Sequence, residues 1–113
     1  MDIFIDTNIL LSIFELNKDF LNNLKGHRLI TSTTVVDELS KKGKQGELAI
    51  KLLDLKKIEI VPYLGNLKAD DAILDICVTN SYALATSDKG LKKRAKNKHL
   101  KIIDIRNKSY LNI

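Results

Sequence analysis

The chain has 113 residues, 44% hydrophobic but only 5% aromatic and without Trp, a length that fits one domain, residues 1–113, with an aliphatic core and leaves no room for two. Nineteen Lys and Arg against fourteen Asp and Glu give a net charge of +5, which favours polyanionic partners. A single cysteine, Cys77, excludes an internal disulfide and a cysteine-rich zinc site; between Ile76 and Val78 it reads as a small core residue.

The opening Met1-Asp2-Ile3-Phe4-Ile5-Asp6 carries acid where a secretory leader carries base, and no apolar run approaches the roughly 20 residues that span a bilayer. The expectation is a cytoplasmic protein that makes no use of a membrane. Ile3-Phe4-Ile5 is the first predicted strand, followed by a helical pattern over residues 8–24, broken near Asn17. Leu29-Ile30-Thr31 is the second strand, and helices follow over 33–41 and 44–57. Between these two helices, Gly43 and Gly46 punctuate the lysine-rich stretch 41–46, which reads as a loop. The third strand is Ile58-Glu59-Ile60-Val61, with a helix over 68–81; the fourth is Ala83-Leu84-Ala85-Thr86, with a helix over 88–98; Lys101-Ile102-Ile103-Asp104-Ile105 closes the series. Five strands separated by helices imply an α/β fold, a parallel sheet covered on both faces.

Such sheets bind ligands outside the carboxyl ends of their strands, where the strand order reverses. Asp6 directly follows the first strand, Glu38 lies in the first turns after the second, Asp70 opens the helix after the third, and Asp88 follows the fourth. All four acids therefore fall on one edge. Helical phase sharpens two of the choices: Asp70 borders the stripe of Ala69, Ala72, Ile73, Ile76 and Cys77, whereas Asp71 and Asp75 point away. Likewise Val35, Val36 and Leu39 place Glu38 at a border and Asp37 further out. Gathered carboxylates repel one another and raise each other's proton affinity unless a cation compensates. A hard ion such as Mg2+ or Mn2+ suits an all-oxygen set, and can activate water against a phosphodiester. His27 and His99 are isolated, which argues against zinc.

Each acid also admits a structural reading: Asp88 as a helix cap, Asp70 as a first-turn acid favouring the helix dipole, Glu38 as a solvated side chain. Asp6 is hardest to explain so, because an acid between Ile3-Phe4-Ile5 and the apolar Ile9, Leu10 and Ile13 is costly to bury without a partner.

Asp6-Thr7-Asn8, Val36-Asp37-Glu38-Leu39, Ala69-Asp70-Asp71-Ala72-Ile73-Leu74 and Ala85-Thr86-Ser87-Asp88 resemble, in that order, the acidic motifs of PIN-domain nucleases. The likeness covers nearly the whole chain. It implies a three-layer α/β/α sandwich with a five-stranded parallel sheet ordered 3-2-1-4-5, and a Mg2+- or Mn2+-dependent endoribonuclease acting on single-stranded RNA. It also implies that Asp6, Glu38, Asp70 and Asp88 are the catalytic, metal-binding acids. Asn8 matches a polar residue that orients the first aspartate, and Thr86 its counterpart beside the fourth acid; Asp71 is a secondary acid. The motif following Ala69, with Ala85 to Arg94, looks closer to the branch associated with ribosomal RNA processing than to the toxins of toxin–antitoxin pairs. A toxin held by an antitoxin is the second reading, and an RNA-binding PIN protein that does not cut is the third. A receiver domain would need an acidic pair after the first strand and an acceptor aspartate after the third, and neither is present.

Residues 89–98 carry six positive charges immediately after Asp88. Leu91 and Ala95 can dock this helix while Lys92, Lys93 and Arg94 face outward to meet the RNA backbone; a merely solvated face is the alternative. Scarce aromatics argue against base stacking as the main recognition mode. Tyr63, Tyr82 and Tyr110 read equally as core or rim. The apolar residues within 9–24 and 48–55 can serve either a homodimer contact or the core. A processing complex or an antitoxin is the protein partner the resemblance implies.

Overall fold

The computed structural model describes residues 1–15 and 20–103. Five strands form one parallel sheet in the order β3-β2-β1-β4-β5: β1 is Asp2–Ile5, β2 Arg28–Ser32, β3 Glu59–Val61, β4 Ala83–Ala85 and β5 Ile102–Ile103. The helices are α1 (Thr7–Glu15), α2 (Thr33–Ser40), α3 (Gly43–Leu55), α4 (Ala69–Asn80) and α5 (Lys89–Asn97), with a 3-10 turn at Phe20–Leu24. Strands and helices thus fall where the hydrophobic runs put them, within a few residues at each end. The predicted break near Asn17, the end of the last strand at Asp104 and Ile105, and Tyr110 lie outside the described residues.

The central strands are almost wholly apolar because parallel strands covered on both faces are buried on both. Ile3, Phe4, Ile5, Leu84 and Ala85 are all fully buried. The register sets Phe4 opposite Ile30 on one side and Leu84 on the other, and Ile5 opposite Ala85. Connections β1 to β2 and β2 to β3 run one way along the sheet; β4 to β5 runs the other. Right-handed crossovers then put α1, α2 and α3 on one face and α4 and α5 on the opposite one. Between β1 and β4 the chain direction across the sheet reverses, so the crevice for a ligand opens at Asp6 and Thr86.

Of the apolar residues described within 9–24 and 48–55, Ile9, Leu10, Ile13, Leu21, Leu24, Ala49 and Leu53 are buried in the core, Leu11, Ile50 and Leu52 pack against it, and Leu48 and Leu55 are exposed. Cys77 and Tyr82 are also core residues, and burial pushes the Cys77 thiol up to about 12.

The stretch 41–46 differs from expectation. Helix α3 begins at Gly43, whose φ of 66° is readily adopted only without a side chain. Gly46 is buried inside the helix, where a Cβ would stand 1.8 Å from the Leu39 carbonyl oxygen. The second glycine is there for close approach of α3 to α2, not to break a helix.

Candidate active site

Asp6 ends β1 at the reversal point and is 94% buried. Its Oδ1 accepts the Thr7 backbone N–H at 2.7 Å and its Oδ2 the Thr86 hydroxyl at 2.7 Å. These bonds favour the carboxylate, yet burial outweighs them, and with Asp70 and Glu38 adding like charge the carboxyl is pushed up to about 6. The backbone is equally fixed: the Asp6 N–H donates to the Ala85 carbonyl at 3.0 Å, and the Thr31 hydroxyl donates to the Ile5 carbonyl at 3.0 Å.

Thr86 couples the first acid to the fourth. While its hydroxyl hydrogen goes to Asp6, its oxygen accepts the Asp88 N–H at 3.1 Å. Asp88 in turn caps α5, its Oδ1 accepting the Leu91 N–H at 3.0 Å. The capping interpretation of Asp88 is thus realised, and it leaves the second carboxylate oxygen for other work. Asn8 accepts the Ser87 N–H at 3.3 Å. The Asp6 oxygens accept from Thr7 and Thr86, and the Asn8 side-chain oxygen holds the turn carrying Asp88.

Asp70 lies in the first turn of α4, half-buried, after an Ala69 whose φ is 50°. Its proton affinity is raised by burial and by Asp88, Glu38 and Asp71, against the pull of Arg94. Asp71 is exposed and forms an ion pair with Arg94, and Asp75 accepts the Tyr63 hydroxyl at 2.9 Å. The helical phase therefore separates these acids as the sequence suggested: Asp70 faces the other carboxylates, whereas Asp71 and Asp75 are engaged at the surface. Glu38 is exposed on α2, and its charge reaches both Asp6 and Asp70. Asp6, Glu38, Asp70 and Asp88 are linked by mutual repulsion at one edge of the sheet.

Among the described residues, no three His, Cys, Asp or Glu side chains converge closely enough to hold an ion together. The donor chemistry nevertheless fits a hard divalent cation, because the acids offer only oxygen and, among the described residues, no cationic partner is buried beside Asp6. Mg2+ keeps several waters and is commonly held by one or two carboxylates, a demand that Asp6 with Asp70, whose charge acts on it, can meet.

On α5, Leu91 and Ala95 are buried and Lys93 and Arg94 are exposed, with Lys92 half-buried. The expected basic face is present, and Arg94 is anchored to Asp71 beside the acids. The role of Thr7 was not visible in the sequence, where only its place after Asp6 could have signalled it. Its N–H holds Asp6, while its buried Oγ1 has no hydrogen-bond partner among the described residues. No described helix is long and apolar enough to cross a membrane.

The sequence profile of a family described as a PIN like domain matches residues 3–108. Among solved structures, the chain is similar to that of the PIN domain endonuclease Utp24, with 25% identity, 91% of this chain and 84% of that chain covered, and a TM-score of 0.81. It is also similar to a PilT N-terminus domain protein from the archaeon Sulfolobus solfataricus P2, with 17% identity, coverage of 95% and 89%, and a TM-score of 0.68. VapBC-1 from nontypeable Haemophilus influenzae has 14% identity, coverage of 93% and 98%, and a TM-score of 0.60. These last two likenesses concern the fold. No curated protein matches the sequence significantly.

Proposed function

Since the chain belongs to the PIN-like domain family, we propose that it is a Mg2+- or Mn2+-dependent endoribonuclease that hydrolyses single-stranded RNA at Asp6, Glu38, Asp70 and Asp88, in RNA processing of the ribosomal type. The observation that carries this reading is Asp6 itself: an acid 94% buried, with its proton affinity raised and two further carboxylates near enough to raise it more. A fold gains nothing in stability from that arrangement; a cation that needs oxygen ligands does. The likeness to the PIN domain endonuclease Utp24 supports the endonuclease assignment, and the motifs around Asp70 and Asp88 support the processing branch over the toxin branch.

A bound divalent ion would supply charge neutralisation at the scissile phosphate and an acidified water. Asp6 and Asp70 would hold it, with Glu38 and Asp88 completing the negative field. Thr7 and Thr86 keep the Asp6 carboxylate in one orientation, so that no rearrangement is needed when substrate arrives. Thr86 also ties the Asp88 backbone to that carboxylate, and Asn8 steadies the intervening Ser87. Lys92, Lys93 and Arg94 would receive the RNA backbone on one flank, a positive rim beside a negative floor. A processing complex would be the protein partner that supplies target choice.

The test is incubation of purified protein with an unstructured, end-labelled RNA in Mn2+, in Mg2+ or in EDTA, with Asp70→Asn in parallel. Internal cutting that requires Mn2+ and fails in Asp70→Asn is expected. No cutting by the wild type with either metal would replace the proposal by a non-catalytic RNA-binding role.

A further inference from the structure

A cleft of about 380 Å3 runs between α2 and α4 and is lined by Thr7, Glu38, Lys41 and Lys68, with Val35 and Ile73 among its apolar lining. Its volume lies within the range of about 300–1,000 Å3 typical of small-ligand sites. Two of its residues tie it to the acids: Thr7 directly follows Asp6, and Glu38 is itself one of the four. The acids therefore lie between this cleft and the basic helix α5, and a chain crossing them from α5 would continue into it.

The chemistry of the cleft is that of a nucleotide site. Thr7 is 95% buried, yet its hydroxyl oxygen has no partner among the described residues, although such a group buried without one is costly. A ligand hydroxyl or phosphate oxygen would satisfy it. Leu67, half-exposed, offers apolar surface for a sugar or base face, while Val35 and Ile73, almost wholly buried, form the apolar lining. Lys41 and Lys68 are both exposed. Asp37 and Glu38 offset their charge, so the cleft is not a general sink for polyanions; a phosphate is favoured where the lysines can reach it.

We infer that this cleft is a subsite of the RNA path, holding the nucleotide next to the one that is cut: Lys41 and Lys68 take its phosphate, and the Thr7 hydroxyl bonds to it. The inference rests on the nuclease reading for its meaning, and its test is separable from that reading because binding is measured without cleavage.

The probe is a fluorescein-labelled decauridylate with 2′-O-methyl riboses, titrated by anisotropy in EDTA at physiological ionic strength. Replacing both Lys41→Ala and Lys68→Ala is expected to weaken binding about tenfold or more, since phosphate contacts carry most of the affinity. The charge-matched pair Lys51→Ala and Lys101→Ala, away from the cleft, should change it less than about twofold. Thr7→Val should weaken it about threefold to tenfold, the worth of one hydrogen bond, while Thr7→Ser, which keeps the hydroxyl, binds like the wild type. Equal losses from the two lysine pairs, wild-type binding by Thr7→Val, or no binding by the wild type would each overturn the subsite. Binding that follows this pattern in a protein that never cuts RNA would sink the nuclease reading and leave the subsite standing; cutting by a protein whose cleft variants bind normally would do the reverse.

Discussion

Replacing Asp6 by Asn should make the metal-free protein more stable. The carboxyl is 6% exposed and pushed up to about 6 from an ordinary 3.8, a rise equivalent to about 3 kcal/mol of preference for the neutral form. In the unfolded chain Asp6 ionises near its ordinary value, whereas in the folded chain it holds its proton until about pH 6. The wild type therefore keeps its full stability below the unfolded value, loses it as pH rises through the folded value, and carries the whole cost above that. Asn retains an acceptor for the Thr7 N–H but leaves the Thr86 hydroxyl without one, a loss of about 1 kcal/mol. The net expectation is a variant about 2 kcal/mol more stable at pH 8 in EDTA. Urea denaturation of both proteins at several pH values measures this. The gap should widen by about 1–2 kcal/mol between pH 5 and pH 8, and Mn2+ should close it by stabilising the wild type alone. A gap that ignores pH, or a wild type that is the more stable at pH 8 without metal, would refute the reasoning.

Three other substitutions separate structure from chemistry. Asp88→Asn should keep the α5 cap within a few tenths of a kcal/mol while abolishing cleavage, whereas Asp88→Ala should also lose about 1 kcal/mol of stability; thermal melts beside RNA cleavage distinguish the two roles. Thr86→Val removes a bond that lowers the Asp6 proton affinity, so the acid limb of the pH–rate profile should move to higher pH, and Thr86→Ser should restore it. Gly46→Ala drives a Cβ to 1.8 Å from the Leu39 carbonyl oxygen; it should destabilise the fold by about 2–3 kcal/mol in urea with little change in cleavage per folded molecule.

The sheet was legible because parallel strands buried on both faces leave short aliphatic runs, and Ile3-Phe4-Ile5 and Ala83-Leu84-Ala85 are such runs. The edge shared by the acids followed from topology, and Asp70 was separable from Asp71 by helical phase alone. What sequence could not supply were contacts made across the fold. Gly46 read as a helix breaker because intrinsic propensity penalises glycine in a helix, and the α2–α3 approach that requires it is a tertiary fact. Asn8 was assigned to Asp6 through family resemblance, but the turn at Ser87 comes to it from 79 residues away. The ion pair of Asp71 with Arg94 joins two helices on one face, and the cleft lined in part by Thr7 forms only where α2 and α4 come together.

The measurement that tests the central claim most directly is the chemistry of the RNA ends left after cutting in Mn2+. Water activated at the carboxylates must leave a simple phosphate monoester on one end and a free hydroxyl on the other, and 2′-O-methylation at the cut site should not prevent it. A 2′,3′-cyclic phosphate would mean attack by the ribose hydroxyl, and cleavage that persists in EDTA and in Asp6→Asn would mean that neither the metal nor Asp6 is needed; either would contradict hydrolysis at Asp6, Glu38, Asp70 and Asp88.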